Sequence, residues 1–258
     1  MKEFFGIGGY QRQPEGFLSW QHLTFVTLLM VIMTMCAVLL GKKNRNQPMK
    51  LQNRVLIWSA VLIDGFELIK IILACSVDPQ AWTRMLPLFL CSIQLISIPL
   101  AAFTKGRIKE AAMDFICVFG ILGAVLGTYG AGQNYNAYPV LSFENVVSGI
   151  THSISGFVAL YLMISGMTKM HKRNIPVVFS ILTVFCIVAY AANILLDYNY
   201  MFLMAGDGTP YDIFFNLLGG HPVFYPLTVV GLFFLYIFLF YTIRSFIAER
   251  KNKVKIAA

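Results

Sequence analysis

The chain has 258 residues, of which 58% are hydrophobic and only 12% charged, and it carries a formal net charge of +8; its mean hydropathy is +0.70. A water-soluble globular chain has about a quarter of its residues charged, so this composition excludes a soluble enzyme or binding domain and implies a membrane protein. The positive balance requires no nucleic acid, because a basic rim facing anionic lipid accounts for it.

A helix needs about 20 apolar residues to cross the hydrocarbon. Seven stretches have that character, at about 17–40, 55–75, 85–103, 111–130, 146–167, 175–196 and 223–246. The expected fold is therefore an all-α polytopic membrane protein, a seven-helix bundle forming one domain over 1–258. The first run reads as a span rather than a removable signal peptide, since it is too long and lacks a small-residue cleavage pattern. Lys42, Lys43, Arg45, Lys50 and Arg54 follow the first span. Lys105, Arg107 and Lys109 follow the third, and Lys169, Lys172 and Arg173 the fifth. The C-terminal end adds Arg244, Arg250, Lys251, Lys253 and Lys255, whereas the opposite side has only Lys2, Arg12 and Arg84. Basic loops stay cytoplasmic, so the N-terminus is expected outside and the C-terminus inside.

The five cysteines, Cys36, Cys75, Cys91, Cys117 and Cys186, form no CxxC pair and no metal-ligand spacing. No metal and no cofactor is expected, and most of these thiols read as small apolar packing residues.

Ionisable and amide side chains at membrane depth are costly and mark function by default. In "NVVSGITHSISGF", His152 lies roughly 10 Å inside the fifth span at 1.5 Å per residue, and no charged residue of its own span can satisfy it. Cys91, in "LPLFLCSIQL", is about as deep in the third span. Glu67 lies roughly 12 Å deep in the second span. His22 and Asn193 are each about one turn inside their spans, and Gln94 is one turn below Cys91. These residues share the outer half of the bilayer, which implies a polar cavity open to that side. The bland readings stand beside this one. His22 also reads as an interfacial anchor, Cys91 as packing, Glu67 as the partner of Lys70 one turn on, with Asp64 drawn into the same cluster, and Gln94 and Asn193 as interhelical ties. A thiolate attacks an acyl ester when an imidazole can take its proton, so Cys91 and His152 at equal depth suit acyl transfer from outer-leaflet lipid.

"LPLFLCSIQL", "FTKGRIKEA", "YPVLSFENVVSGITHSI" and "NILLDYNYMFL" together resemble the bacterial YwaF family of integral membrane proteins, which is related to the transmembrane protein 164 group of cysteine-dependent phospholipid acyltransferases. The resemblance covers nearly the whole chain, from "LSWQHL" to the last helix, and "NYMFL" is its most specific piece. It implies a seven-helix acyl-transfer protein of the bacterial plasma membrane acting on membrane phospholipids. Cys91 would be the nucleophile carrying a thioester and His152 its base; His22, Glu67, Asn193, Asn199 and Tyr200 would line or brace the cavity. Where many bacterial relatives read Leu-His-Leu-Cys, this chain reads "LFLC", with Phe89 in place of the histidine.

Two further functions fit the residues. A proton-coupled or small-solute transporter could use Glu67, Lys70, His22 and His152 as a relay, although no repeat links the two halves. A receptor or scaffold could use the acidic, aromatic link from Leu196 to Pro222 as a lid, but the last span has no lysine for a retinal Schiff base.

Overall fold

The computed structural model describes residues 3–6 and 9–257, with side chains described as far as residue 247. Lys2 and the side chains of Arg250, Lys251, Lys253 and Lys255, which enter the charge pattern above, lie outside the described residues. All regular structure among the described residues is helical, and the chain divides into two compact units, Met1–Lys169 and Met170–Ala258.

The first unit begins with α1 (Trp20–Asn44) and α2 (Met49–Val77). The Ser19 hydroxyl caps α1 by accepting the His22 N–H at 3.2 Å, one of the donors a helix start leaves unpaired. The turn between the two helices is tied to a later one. Asn44 Nδ2 donates to the Tyr161 hydroxyl (3.1 Å), which donates to the Gln52 carbonyl (3.1 Å), and Gln52 Nε2 donates back to the Asn44 carbonyl (2.8 Å). After a 3₁₀ turn at Ala81–Arg84 the chain runs irregularly to a short helix, α3 (Gln94–Phe103). Two long helices follow, α4 (Gly106–Tyr129) and α6 (Phe143–Ser165), separated by the one-and-a-half-turn α5 (Gly132–Ala137). The Ser142 hydroxyl caps α6, and Gly166 ends it with φ +77°, a left-handed conformation that glycine adopts without a Cβ penalty.

Helix α4 is the centre of this unit: every residue from Ala111 to Gly120 is buried, the signature of a helix enclosed by others. Its neighbour α6 comes close because small residues face the contact. A Cβ on Gly120 would lie 2.7 Å from the Ser155 carbonyl oxygen, and one on Gly156 would lie 2.6 Å from Ala124 Cβ. Without a hydrophobic drive between helices in lipid, such small-residue seams hold membrane helices together. Helix α1 has the opposite character, exposing Leu28, Val31, Ile32, Met35 and Leu39 along its length.

The second unit consists of α7 (Ile175–Leu196), the 3₁₀ turn Tyr200–Phe202, α8 (Asp212–Leu217) and α9 (Phe224–Ala257). Pro176 lies in the first turn of α7, where its missing N–H costs nothing. Phe179 of α7 stacks on Phe234 of α9, with centroids 4.5 Å apart and planes 8° off parallel.

Five helical stretches are long and apolar enough to cross a bilayer: Trp20–Asn44, Gly106–Ala137 (α4 with α5), Phe143–Ser165, Lys172–Leu196 (a 3₁₀ turn with α7) and Phe224–Ile247. With their exposed apolar faces they make this a multi-pass membrane protein. Helix α2 has 29 residues, yet carries Asp64, Glu67 and Lys70 within its apolar stretch. The third expected span departs from a continuous helix. Only its second half, the 10 residues of α3, is helical; that length rises about 15 Å, half of the hydrocarbon thickness. Pro87 keeps a helix from running through the start of this segment, since it disfavours a helical conformation at Leu86 and removes a backbone donor.

The seam between α4 and α6 gives a stability test. Gly120→Ala should lower the unfolding temperature in detergent, at a cost of about 1–3 kcal/mol as overpacking. Gly65→Ala on α2, where a methyl meets nothing within 4 Å, should be neutral or stabilising by a few tenths of a kcal/mol to about 1.

Candidate functional site

The break in the third span positions the site. Residues 89–93 form tight turns, in which the Phe89 carbonyl accepts both the Ser92 N–H (2.9 Å) and the Ile93 N–H (3.2 Å). Phe89 therefore shapes this turn through its backbone. Cys91 stands in the turn, three residues before α3 begins at Gln94. Non-helical backbone at membrane depth is tolerated only where protein buries it or where it lines a cavity, and a cavity is what it lines. About 50 Å³ in volume, the cavity is walled by Ile63, Glu67 and Lys70 of α2, by Cys91, Ser92 and Leu95, and by Ser148, Thr151, His152 and Ser155 of α6.

Cys91 and His152 are each partly open to this cavity and both line its wall. On its other side, His152 Nδ1 donates to the Ser148 carbonyl at 2.7 Å. A carbonyl only accepts, so Nδ1 carries the proton and Nε2 of the neutral ring is left as a base. The bond also holds the ring in place, the usual second partner of a working histidine. Glycines of α4 form the back wall. A methyl at Gly127 would overlap the His152 ring, and one at Gly123 would lie 3.5 Å from Cys91 Cβ. These two glycines leave the space the pair occupies.

Glu67 and Lys70 meet at 2.6 Å, each side chain about 15% exposed, so the i,i+3 pairing expected from sequence forms on the cavity wall. Asp64, next to Glu67 in charge contact, has a buried Oδ1 with no hydrogen-bond partner among the described residues.

The other singled-out residues are placed elsewhere. His22 is fully buried, accepts the Leu18 N–H at Nδ1 (3.1 Å) and donates from Nε2 to the Thr128 carbonyl (3.0 Å). Its ring lies against Tyr135, centroids 3.8 Å apart. With both nitrogens occupied, this histidine joins α1 to the end of α4 and does not line the cavity. Gln94 is fully buried with neither amide atom hydrogen-bonded among the described residues, and it too is absent from the cavity wall. Asn193, Asn199 and Tyr200 belong to the second unit. Asn193 pairs with the Tyr200 backbone like a peptide, donating to its carbonyl (3.0 Å) and accepting its N–H (2.6 Å). Asn199 bonds the Ala205 carbonyl (2.8 Å), Asp207 (2.6 Å) and the Met204 N–H (2.9 Å). Together they hold a loop in which Met201 and Phe202 both have φ +56°.

Sequence reasoning did not single out Ser92, Ser148 or the two glycines. The spacing of Gly120, Gly123 and Gly127 on one helical face was the available signal, because such a stripe marks where another chain segment approaches.

Gly127→Ala should displace the His152 ring and slow iodoacetamide alkylation of Cys91 at neutral pH by about tenfold or more, the effect of losing a neighbouring base on thiolate formation. His152→Ala should do the same, with Cys91 followed by peptide mass mapping and the unfolding temperature as the control for folding.

No curated protein sequence and no solved structure matches the chain. A family model does match, over residues 17–243, which takes in the cavity and the loop of the second unit. The chain belongs to the TMEM164 family.

Proposed function

We propose that the protein is a membrane acyltransferase that moves a fatty-acyl chain from, or between, phospholipids through a thioester on Cys91. The observation that carries this reading is that Cys91 shares the cavity wall with a histidine whose Nδ1 is committed to the Ser148 carbonyl. Membership of the TMEM164 family supports it. In the same reading the chain crosses a bacterial plasma membrane seven times with its N-terminus outside, α2 and the broken third span included.

The steps balance without a cofactor. The Cys91 proton moves to His152 Nε2 as the sulfur attacks an ester carbonyl. The carbon–oxygen bond breaks, and the departing lysolipid alkoxide takes the proton from the imidazolium. In the second half an acceptor hydroxyl gives its proton to Nε2 and attacks the thioester, and the carbon–sulfur bond breaks to regenerate the thiol. A single imidazole serves as base and then acid in each half. The cavity of about 50 Å³ holds a few waters or a small polar group, so the acyl chains themselves stay in lipid.

A second reading, proton-coupled transport, is favoured by the Glu67–Lys70 pair on the cavity wall and by the unpartnered Asp64 oxygen. Label transfer separates the two. Incubated with a phospholipid carrying a clickable acyl chain, the reconstituted wild type should pass label to a lysophospholipid. Cys91→Ala should abolish this and His152→Ala should reduce it by about 10²–10⁴-fold, the range for a general acid–base. Solute uptake that survives Cys91→Ala and is lost in Glu67→Gln would favour transport instead.

A further inference from the structure

The cavity wall orders its residues by depth. The Tyr161 hydroxyl of α6 bonds the Gln52 carbonyl of α2 at 3.1 Å, near the end of one helix and the start of the other, so the two run antiparallel. Rising from that level, the wall residues follow as Ile63, Glu67 and Lys70 on α2 and as Ser155, His152 and Ser148 on α6. Lys70 and Ser148 therefore stand at the same end of the cavity, the end away from the basic link that follows α1. Helix α4 gives the level of the thiol. Gly120 meets Ser155 and Gly127 meets His152, so Gly123, which backs Cys91, lies inward of His152. Cys91 is thus on the deep side of the imidazole and Lys70 on the shallow side. Lys70 is also the one cation on the wall among the described residues. Its ammonium meets Glu67 at 2.6 Å, and an ammonium carries more donors than that single contact uses.

We infer that Lys70 binds the phosphodiester of the lipid substrate, exchanging its contact with Glu67 for one with phosphate, while the deeper Cys91 faces the acyl ester. The inference rests on the acyl-transfer reading of the same cavity. A phospholipid carries its phosphate and an ester on neighbouring glycerol carbons, and in a leaflet the phosphate lies nearer the water than the esters do. The wall repeats that order, with the cation at the shallow end and the thiol further in. The unesterified phosphate oxygens accept hydrogen bonds from an ammonium, a point charge for which phosphate is an ordinary partner. Glu67 holds the ammonium while the site is empty, since an unpaired charge in a water-poor site is strongly disfavoured. Exchange of one oxyanion for another keeps Lys70 paired throughout. A neutral glyceride with the same acyl esters offers nothing in exchange, so Lys70 selects the phosphate-bearing lipid.

The test reads binding alone and uses the full chain in a phosphate-free detergent, as wild type, Lys70→Met, Lys70→Arg and Glu67→Gln. For each, Cys91 alkylation by iodoacetamide is followed on its peptide, with and without a dialkyl ether phospholipid, whose chains cannot be transferred, or the matching dialkylglycerol. In the wild type the phospholipid should protect Cys91 at about 10–100-fold lower concentration than the dialkylglycerol, the range for one charge-assisted hydrogen bond. Lys70→Met should remove that difference and Lys70→Arg should keep most of it. Glu67→Gln, which takes away the competing carboxylate, should enlarge it; a smaller difference in this variant would make the ion pair structural and overturn the inference. Equal unfolding temperatures exclude a folding defect. Equal protection by the two lipids, no protection by either, or a difference that survives Lys70→Met would also overturn it. Protection by inorganic phosphate alone at the concentration where the lipid protects would assign the site to a free anion and overturn it as well. Because no turnover is needed, a wild type that forms no acyl adduct yet shows the Lys70-dependent difference removes the acyl-transfer reading and leaves the phosphate site standing.

Discussion

Hydrocarbon offers no hydrogen bonds, so every backbone N–H and C=O within it must find a partner in the protein. Helices meet this demand alone; the segment from Met85 to Ile93 cannot. Its turns must be closed locally, as the Phe89 carbonyl does by accepting two N–H groups, and they must be shielded by neighbouring helices. Much of the first unit follows from that constraint. Helix α4 is buried on all sides over Ala111–Gly120. Glycines let α6 press against it, and α2 closes the cavity with an ion pair. The same break leaves Cys91 in a turn shortly before a half-length helix, on the wall of the cavity that His152 also lines.

The arrangement has costs that argue for use. An amide left without partners in the interior costs roughly 1–3 kcal/mol per group, and Gln94 has both amide atoms in that condition among the described residues. A partly buried ion pair such as Glu67–Lys70 commonly contributes less than a well-packed apolar replacement would. A protein selected for stability alone would fill this region with leucine. A polar cavity kept at the break in a span is instead what a reaction or a translocated polar group requires.

Some of this was legible in the residues. Charge depletion and apolar length gave the membrane class, and the long helices follow the apolar runs, with α2 and α4 starting six and five residues early and the last helix continuing well beyond its run. His152 stood out because no charged residue in its own span could satisfy it. Pro87 signalled a non-helical start to the third span, but apolar length alone masked it. His22 illustrates a different limit. The group that satisfies its Nε2 is a backbone carbonyl 106 residues away, and carbonyls carry no sequence signature. The loop of the second unit was recognisable as a motif in "NYMFL", yet nothing in those letters discloses that Asn193 reads the Tyr200 backbone like a strand partner.

The central claim is that Cys91 carries acyl groups. Intact-mass spectrometry of the purified protein, after incubation with phospholipid under acid quench, tests it most directly. The account predicts a fatty-acyl mass increment on the wild type that neutral hydroxylamine removes and that Cys91→Ala never acquires. An unmodified wild type under these conditions, or an increment that persists in Cys91→Ala, would contradict it.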